Sequence, residues 1–196
     1  SQINQITKFN KNLKSLDLIK GIVSASSKLT KNLKKRLIRN KILIYEMYGA
    51  SEVGTIASIN FKKNEKQIES VGRSYGKINL KILSDTNKIC KKYETGEIIC
   101  KSKMLFNGYL SLYKKELYLY KNNYFRTGDL GYLDDLGFLY YIGRKKNIIK
   151  RSGYMIYPEE IETKIQKIKN IKDISIQGKF DDKISNEKII FFVILY

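Results

Sequence analysis

The chain has no histidine, one proline and two cysteines in 196 residues. Without histidine, no Ser-His-Asp or Cys-His triad can be assembled, and most zinc sites lose a standard ligand. Cys90 and Cys100 show no CxxC spacing, which suits thiols kept reduced in a cytosol better than a disulfide framework. No apolar run approaches the roughly 20 residues a membrane helix needs. The most apolar one, "IIFFVILY" from Ile189, reads as a buried strand. The opening "SQINQITKFNKNLK" has neither an initiator methionine nor the apolar core of a secretory signal. The expected location is cytoplasmic, with peripheral membrane contact left open. The single proline and 29% charged residues argue against a low-complexity tail.

What is present supports a real core. Hydrophobic residues make up 42% and aromatics 12%, enough for one large domain or one medium and one small. The net charge of +19 would attract a phosphate backbone. The lysines, however, are spread through every segment beside abundant Asn, Ile and Tyr, the mixture an AT-rich genome encodes. No basic cluster and no RRM, KH or zinc motif accompanies them. Scattered charge of this kind governs solubility and nonspecific attraction, so no specific nucleic-acid partner is expected.

Local patterns predict the elements. "TKNLKKRLI" places Leu33, Leu37 and Ile38 on one helical face, with Thr30 as N-cap. "ILIYEMYGASEVGTIASIN" reads as strand, loop, strand. "NLKILS", "GEIICKS" and "GFLYYIG" read as short strands, with "SDTN" and "YETG" as turns. "KKNIIKRSGYMIY" reads as two short strands around Ser152-Gly153. Pro158 opens a helix through "PEEIETKIQKI", with Glu159 and Glu160 in its first turn and Ile161, Ile165 and Ile168 at helical spacing. "DISIQG" and "KIIFFVILY" read as two more strands. The chain is β-rich up to residues 144–147 and changes character there.

Three stretches carry residues with chemistry: Tyr48 to Glu52 ("YGASE"), Tyr124 to Asn147, and Lys150 to Glu162 ("KRSGYMIYPEEIE"). The carboxylate of Glu52, after a small-residue turn, can hold Mg²⁺ or simply sit exposed. Asp129 can accept two hydrogen bonds from a ribose diol, because an ionised carboxylate offers only acceptors, or it can cap a turn. Arg144 has the planar fork that suits phosphate and ribose oxygens, or it can lie in water. Gly153 can be a plain hairpin glycine, and Lys146 a plain surface lysine.

Order and spacing together resemble the adenylate-forming enzymes, the superfamily of acyl-CoA synthetases, firefly luciferase and adenylation domains. "YGASE" resembles the family's YGxTE motif. "FRTGDLGYLDDLGFLYYIGRKKN" resembles its TGD…GR-x-K/D signature, and "IIKRSGYMIYPEEIE" its IKxxGxxIxPxEIE motif. "SVGRSYG", "TGEIICKSKMLFNGYL" and, faintly, "SASSKL" fall in family order around them. The wording of "SGYMIYPEEIE" is most similar to AMP-forming acyl-CoA synthetases acting on fatty or other small acids.

The resemblance implies an acid–thiol ligase using ATP, Mg²⁺ and coenzyme A, with AMP as product. A carboxylic acid attacks ATP to give an acyl-adenylate, and a thiol then displaces AMP. No enzyme nucleophile is needed; positioning and charge neutralisation suffice. It implies that Glu52 holds Mg²⁺ and that Ser51 contacts the α-phosphate. Tyr48, in the stretch Tyr48-Gly49, lies against adenine, and Ser26 and Ser27 line the adenine side. Asp129 takes the ribose hydroxyls, and Arg144 binds ribose or phosphate oxygens. Lys146 becomes the pivot of a mobile C-terminal domain. Lys150 and Gly153 join the site only in the thioester-forming arrangement, Gly153 leaving room for pantetheine.

Two family elements do not occur in these residues: the Ser/Thr/Gly-rich phosphate loop and the C-terminal lysine in a Gly-Lys context. The chain is therefore expected to be the rear part of such an enzyme and inactive alone in ATP–pyrophosphate exchange. A degenerate, non-catalytic relative is the alternative reading, and a basic nucleic-acid-binding module a weaker one. The expected fold is α/β to α+β. Residues 1–145 form the β-rich rear of the large AMP-binding domain, and residues 146–196 an incomplete small α+β lid.

Overall fold

The computed structural model describes residues 20–25, 29–108 and 119–196. Helix α1 (Lys31–Arg39) begins where its cap predicts: Thr30 is extended, and its hydroxyl accepts from Leu33 N at 3.4 Å. Leu33 and Leu37 are buried and Ile38 packs at the margin of the same cluster, which also holds Ile44, Ile59 and Phe61. The helix thus covers strands β1 (Gly21–Ser24) and β2 (Leu43–Ala50), which run parallel. Strand β3 (Gly54–Asn60) folds back antiparallel on β2, and β4 (Arg73–Ser74) completes a four-stranded sheet in the order β1-β2-β3-β4. Burying each large aliphatic side chain here contributes on the order of 2 kcal/mol.

A second, antiparallel sheet is built from β5 (Asn79–Leu83), β6 (Gly96–Lys101), β7 (Leu119–Tyr120), β8 (Tyr124–Leu133) and β9 (Leu139–Arg144). β8 is its spine: β6 takes one edge, while β7 and β9 share the other. Side chains of both sheets interlock, with Ala57 and Val71 against Ile82, Ile98 and Leu139, and Val53 and Ile56 against Cys100 and Phe125. The spine is the element that residue preference conceals. Gly128 and Gly131 are poor strand formers, yet the strand runs through both, bending at Gly128 (φ 72°) and shifting register between Leu130 and Gly131.

After the short turn Lys145–Asn147, residues 149–195 gather round a core of their own: Ile149, Ile174 and Ile176, with Ile161, Ile165 and Ile171. Hairpin β10 (Ile149–Arg151) to β11 (Tyr154–Ile156) turns at Ser152 (φ 48°) and Gly153 (φ 83°), the two positive φ values of a type I′ turn. Helix α2 (Pro158–Ile165) has proline in its first turn with Glu159 and Glu160. It is shorter than predicted. The chain leaves the helix at Gln166, so Ile168 lies outside it and is exposed, and Asn170 turns through a left-handed conformation into β12. Strands β12 (Ile171–Asp181) and β13 (Asn186–Leu195) pair as a long hairpin. The apolar run from Ile189 forms the expected strand but is not buried, because among the described residues this sheet has only two strands and Phe191 to Leu195 stay exposed. The β-rich region followed by a small α+β region matches the expected class. Among the described residues, no helix is long and apolar enough to cross a membrane.

Candidate functional site

The bend at Gly128 is pinned from one side. The Thr127 hydroxyl donates to Ile98 O at 2.8 Å and accepts from Asp129 N at 3.1 Å. This turns the Asp129 side chain inward, where the residue is only 3% exposed. β2 brings Tyr48 to it: the phenol donates to Asp129 Oδ2 at 2.6 Å. β9 brings Arg144, directly opposite Asp129 in the β8–β9 register, with Nε 2.9 Å from Asp129 Oδ1. Arg144 Nη1 also donates to Thr127 O at 3.2 Å. The Nε–Oδ1 approach is an ion pair by distance, but it is not aligned as a hydrogen bond. Asp129 Oδ1 is a buried side-chain oxygen with no hydrogen-bond donor among the described residues.

The electrostatics follow from this placement. Burial pushes the Asp129 carboxyl above its ordinary range, while the Tyr48 hydroxyl and Arg144 pull it back part of the way. Burial, and then the charge of Asp129, raise the Tyr48 phenol far above its usual range, so it remains a donor. Tyr141 is pushed up to about 12, first by burial and then by Asp129 and Glu159. The Arg144 side chain is 51% exposed, so the cation stands at the solvent side of a buried acid. Such a group can grip a hydroxyl-bearing ligand with an acceptor inside and a cation at the rim. It holds no activated nucleophile.

The other predicted residues are placed as follows. Gly49 lies where the turn into β3 folds back: a side chain there would collide with Gly54 O, so this glycine serves the chain crossing. Ser51 is exposed and Glu52 half-buried in that turn, and Glu52 O accepts from Phe106 N at 2.8 Å. Lys146 is exposed within Lys145–Asn147. Lys150 and Gly153 are exposed on the β10–β11 hairpin. Contacts of that hairpin run to the terminal one, from Lys150 N to Glu187 and from Ser152 N to Asn186. The structure thus brings Tyr48, Asp129 and Arg144 together and sets Lys150 and Gly153 on a different element. Ser26 and Ser27 lie outside the described residues.

Three participants escaped the sequence reading: Thr127 as the pin, Tyr141 with its ring 6.0 Å from that of Tyr48, and Glu159. Tyr141 stands opposite Gly131 and Gly143 opposite Leu130, so the register shift between them breaks the period-2 alternation of "YYIGR" that could have marked Tyr141. Nothing local marked Glu159.

A nucleotide fits the site on one structural observation, the donor-less buried oxygen of Asp129, which a ribose hydroxyl would satisfy. Among the described residues, no three His, Cys, Asp or Glu side chains gather into a metal cage.

The family profile for AMP-binding enzymes matches residues 1–110. A long-chain-fatty-acid–CoA ligase of Bacillus subtilis is 32% identical over 184 residues, 92% of this chain and 32% of that protein. A 2-succinylbenzoate–CoA ligase of Oceanobacillus iheyensis is 30% identical over 164 residues, 83% of this chain and 34% of the relative. The chain spans about a third of the length of the curated relatives it matches. Among solved structures, o-succinylbenzoate CoA synthetase from Bacillus subtilis in complex with its acyl-adenylate shares the fold with TM-score 0.87 at 23% identity, covering 99% of this chain and 40% of that one. With the profile spanning more than half of the sequence, this chain belongs to the AMP-binding enzyme family.

Proposed function

We propose that Asp129, Arg144 and Tyr48 form the ribose-binding part of the ATP and AMP site of an AMP-forming ligase, one that joins a carboxylic acid to the thiol of coenzyme A. The carrying observation is Asp129 Oδ1, buried and without a donor beside Arg144. A buried acceptor left unmade costs about 1–3 kcal/mol. The Arg144 ion pair offsets part of that cost, a ligand hydroxyl would recover the remainder, and a neighbouring hydroxyl would meet the arginine fork.

In this reading, ATP supplies the adenylyl group to the acid carboxylate, pyrophosphate leaves, and a thiol then displaces AMP. The chain's own residues bind and orient. Glu52 would hold Mg²⁺, Ser51 would contact the α-phosphate, and Lys150 and Gly153 would serve the thiol step. Residues 1–145 would belong to the large nucleotide-binding domain and residues 146–196 to the small one, with Lys146 as pivot. The separate core around Ile149, Ile174 and Ile176 supports that division. The names of the relatives, ligases of a long-chain fatty acid and of 2-succinylbenzoate, support a carboxylic acid as substrate.

The test is a titration of the isotope-labelled chain with AMP and with 2′,3′-dideoxy-AMP, read at the amides of Thr127, Asp129 and Arg144. AMP is expected to shift them, and the dideoxy analogue to bind about tenfold or more weakly, as the loss of paired hydroxyl contacts requires. Equal response to the two nucleotides would overturn the ribose assignment.

A further inference from the structure

Gly143 is a glycine for space rather than for backbone freedom. Its φ is not among the positive ones. A Cβ built on it would stand 2.5 Å from Glu159 Oε2 and 2.8 Å from Glu159 Cδ. The missing side chain is therefore a notch, and a carboxylate from helix α2 fills it. Glu159 Oε1 accepts from Arg144 N at 3.3 Å and from Asn147 Nδ2 at 2.9 Å. One side chain thereby spans the whole Lys145–Asn147 turn. It grips the last residue of β9 on one side, the end of the turn on the other, and it is itself rooted in the first turn of α2. The helix N-terminus adds a favourable field for that negative charge. On its other face, Arg144 is held to Asp129 and to Thr127 O. Backbone and guanidinium of the same arginine are thus fixed from opposite directions.

We propose that Glu159, seated in the notch at Gly143, is a positioning residue that fastens helix α2 to the end of β9 and holds Arg144 opposite Asp129. Residues 149–195 take their orientation against the five-stranded sheet from this clasp. The inference goes beyond nucleotide binding, and its first readout does not need a nucleotide.

Two substitutions open the clasp from opposite sides. Glu159→Ala removes the acceptor. Gly143→Ala fills the notch, and since its nearest obstacle is the far end of a flexible side chain, the fold survives while the carboxylate is displaced. Glu159→Gln keeps one amide oxygen as acceptor and is the conservative control. The readout is hydrogen exchange at the Arg144 amide, together with tryptic cleavage within Arg144-Lys145-Lys146, on protein whose circular dichroism is native.

Each single alanine variant is expected to exchange about tenfold faster, the weight of a hydrogen bond to a charged acceptor, and to be cut faster. Glu159→Gln is expected to recover part of the protection. The double variant is expected to be no faster than either single, because both remove one contact. Unchanged exchange in the natively folded Glu159→Ala variant, or an additive double variant, would overturn the proposal. If Gly143→Ala fails to fold, the Glu159→Ala and Glu159→Gln pair still decides. AMP affinity in the same variants reports on the ribose assignment separately, since exchange at Arg144 responds whether or not AMP binds.

Discussion

The Tyr48 hydroxyl donates to Asp129 Oδ2 at 2.6 Å, across 81 residues of sequence. This bond occupies one oxygen of a buried carboxylate and leaves the other facing Arg144 without a donor. Tyr48 thus sets which oxygen is open to a ligand, in addition to any contact its ring makes. Replacing it with Phe removes a donor from a carboxylate that burial already pushes upward. Tyr48→Phe is expected to raise the Asp129 pKa further and to cost about 2 kcal/mol of stability. Urea unfolding and a side-chain carboxyl titration by NMR check both. An unchanged Asp129 titration would show that the bond does not govern the carboxylate.

The pH dependence has a different owner. Glu97 accepts from Arg126 Nε at 3.1 Å and pairs with Lys145 Nζ at 3.4 Å, which also reaches Asp85 at 3.0 Å. Burial works against the Glu97 charge, but Arg126 and Lys145 outweigh it and hold the carboxyl below its ordinary value. A depressed folded-state pKa means that the unfolded chain binds the proton first as pH falls. The stability contributed by Glu97 is therefore full above the ordinary glutamate value and is lost as pH drops through the lower folded one. Arg126 and Lys145 are partly exposed, so screening limits the effect to about 1 kcal/mol. Glu97→Gln is expected to flatten that acid limb in urea midpoints collected from pH 6 downward. A limb as steep as in the unaltered protein would assign it to other carboxylates.

Lys34 is fully buried, paired with Glu46, and donates to Ile68 O at 3.0 Å with its ammonium 4.5 Å over the Phe61 ring. The other Glu46 oxygen accepts from Leu29 N at 2.9 Å. Removing one member of such a pair leaves the other charge buried and costs about 3–5 kcal/mol. Lys34→Met is expected to fall in that range. Adding Glu46→Gln should recover much of the loss, because the neutral amide still accepts from Leu29 N. Thermal and urea unfolding of both variants measure this, and a double variant no better than the single would refute the charge argument.

Legibility in the sequence followed locality. The Thr30 cap, the Ser152-Gly153 turn and the proline start of α2 depend on a few adjacent residues, and each stands where the pattern put it. Asp129 and Arg144 stood out through spaced motifs, and the structure sets them opposite each other in the β8–β9 register. What stayed hidden was set by register and space. The spine strand β8 carries two glycines that argue against a strand, and burial between neighbouring strands overrides them. Ile168 continues the helical spacing of Ile161 and Ile165, but the chain must reverse through Asn170 to enter β12. Glu159 looked like an ordinary first-turn acid, and only the notch at Gly143 gives it a destination.

The terminal hairpin carries the last prediction. Phe191, Phe192, Val193, Ile194 and Leu195 are each 45–65% exposed. Consecutive residues point to opposite faces of a strand, so both faces of β13 are apolar and open. Among the described residues, this sheet has two strands, and the outer edge of each is unpaired. An apolar strand with a free edge pairs readily with another copy. Phe192 and Ile194 stand across from Ser175 and Asp173, on the face away from buried Ile174 and Ile176. Replacing both with Lys leaves that small core intact and is expected to change unfolding stability by no more than about 0.5 kcal/mol per site. The same change is expected to suppress concentration-dependent association of the chain, read as the loss of fast-sedimenting species in analytical ultracentrifugation at matched concentration. Equal association before and after the double substitution would place the sticky surface elsewhere.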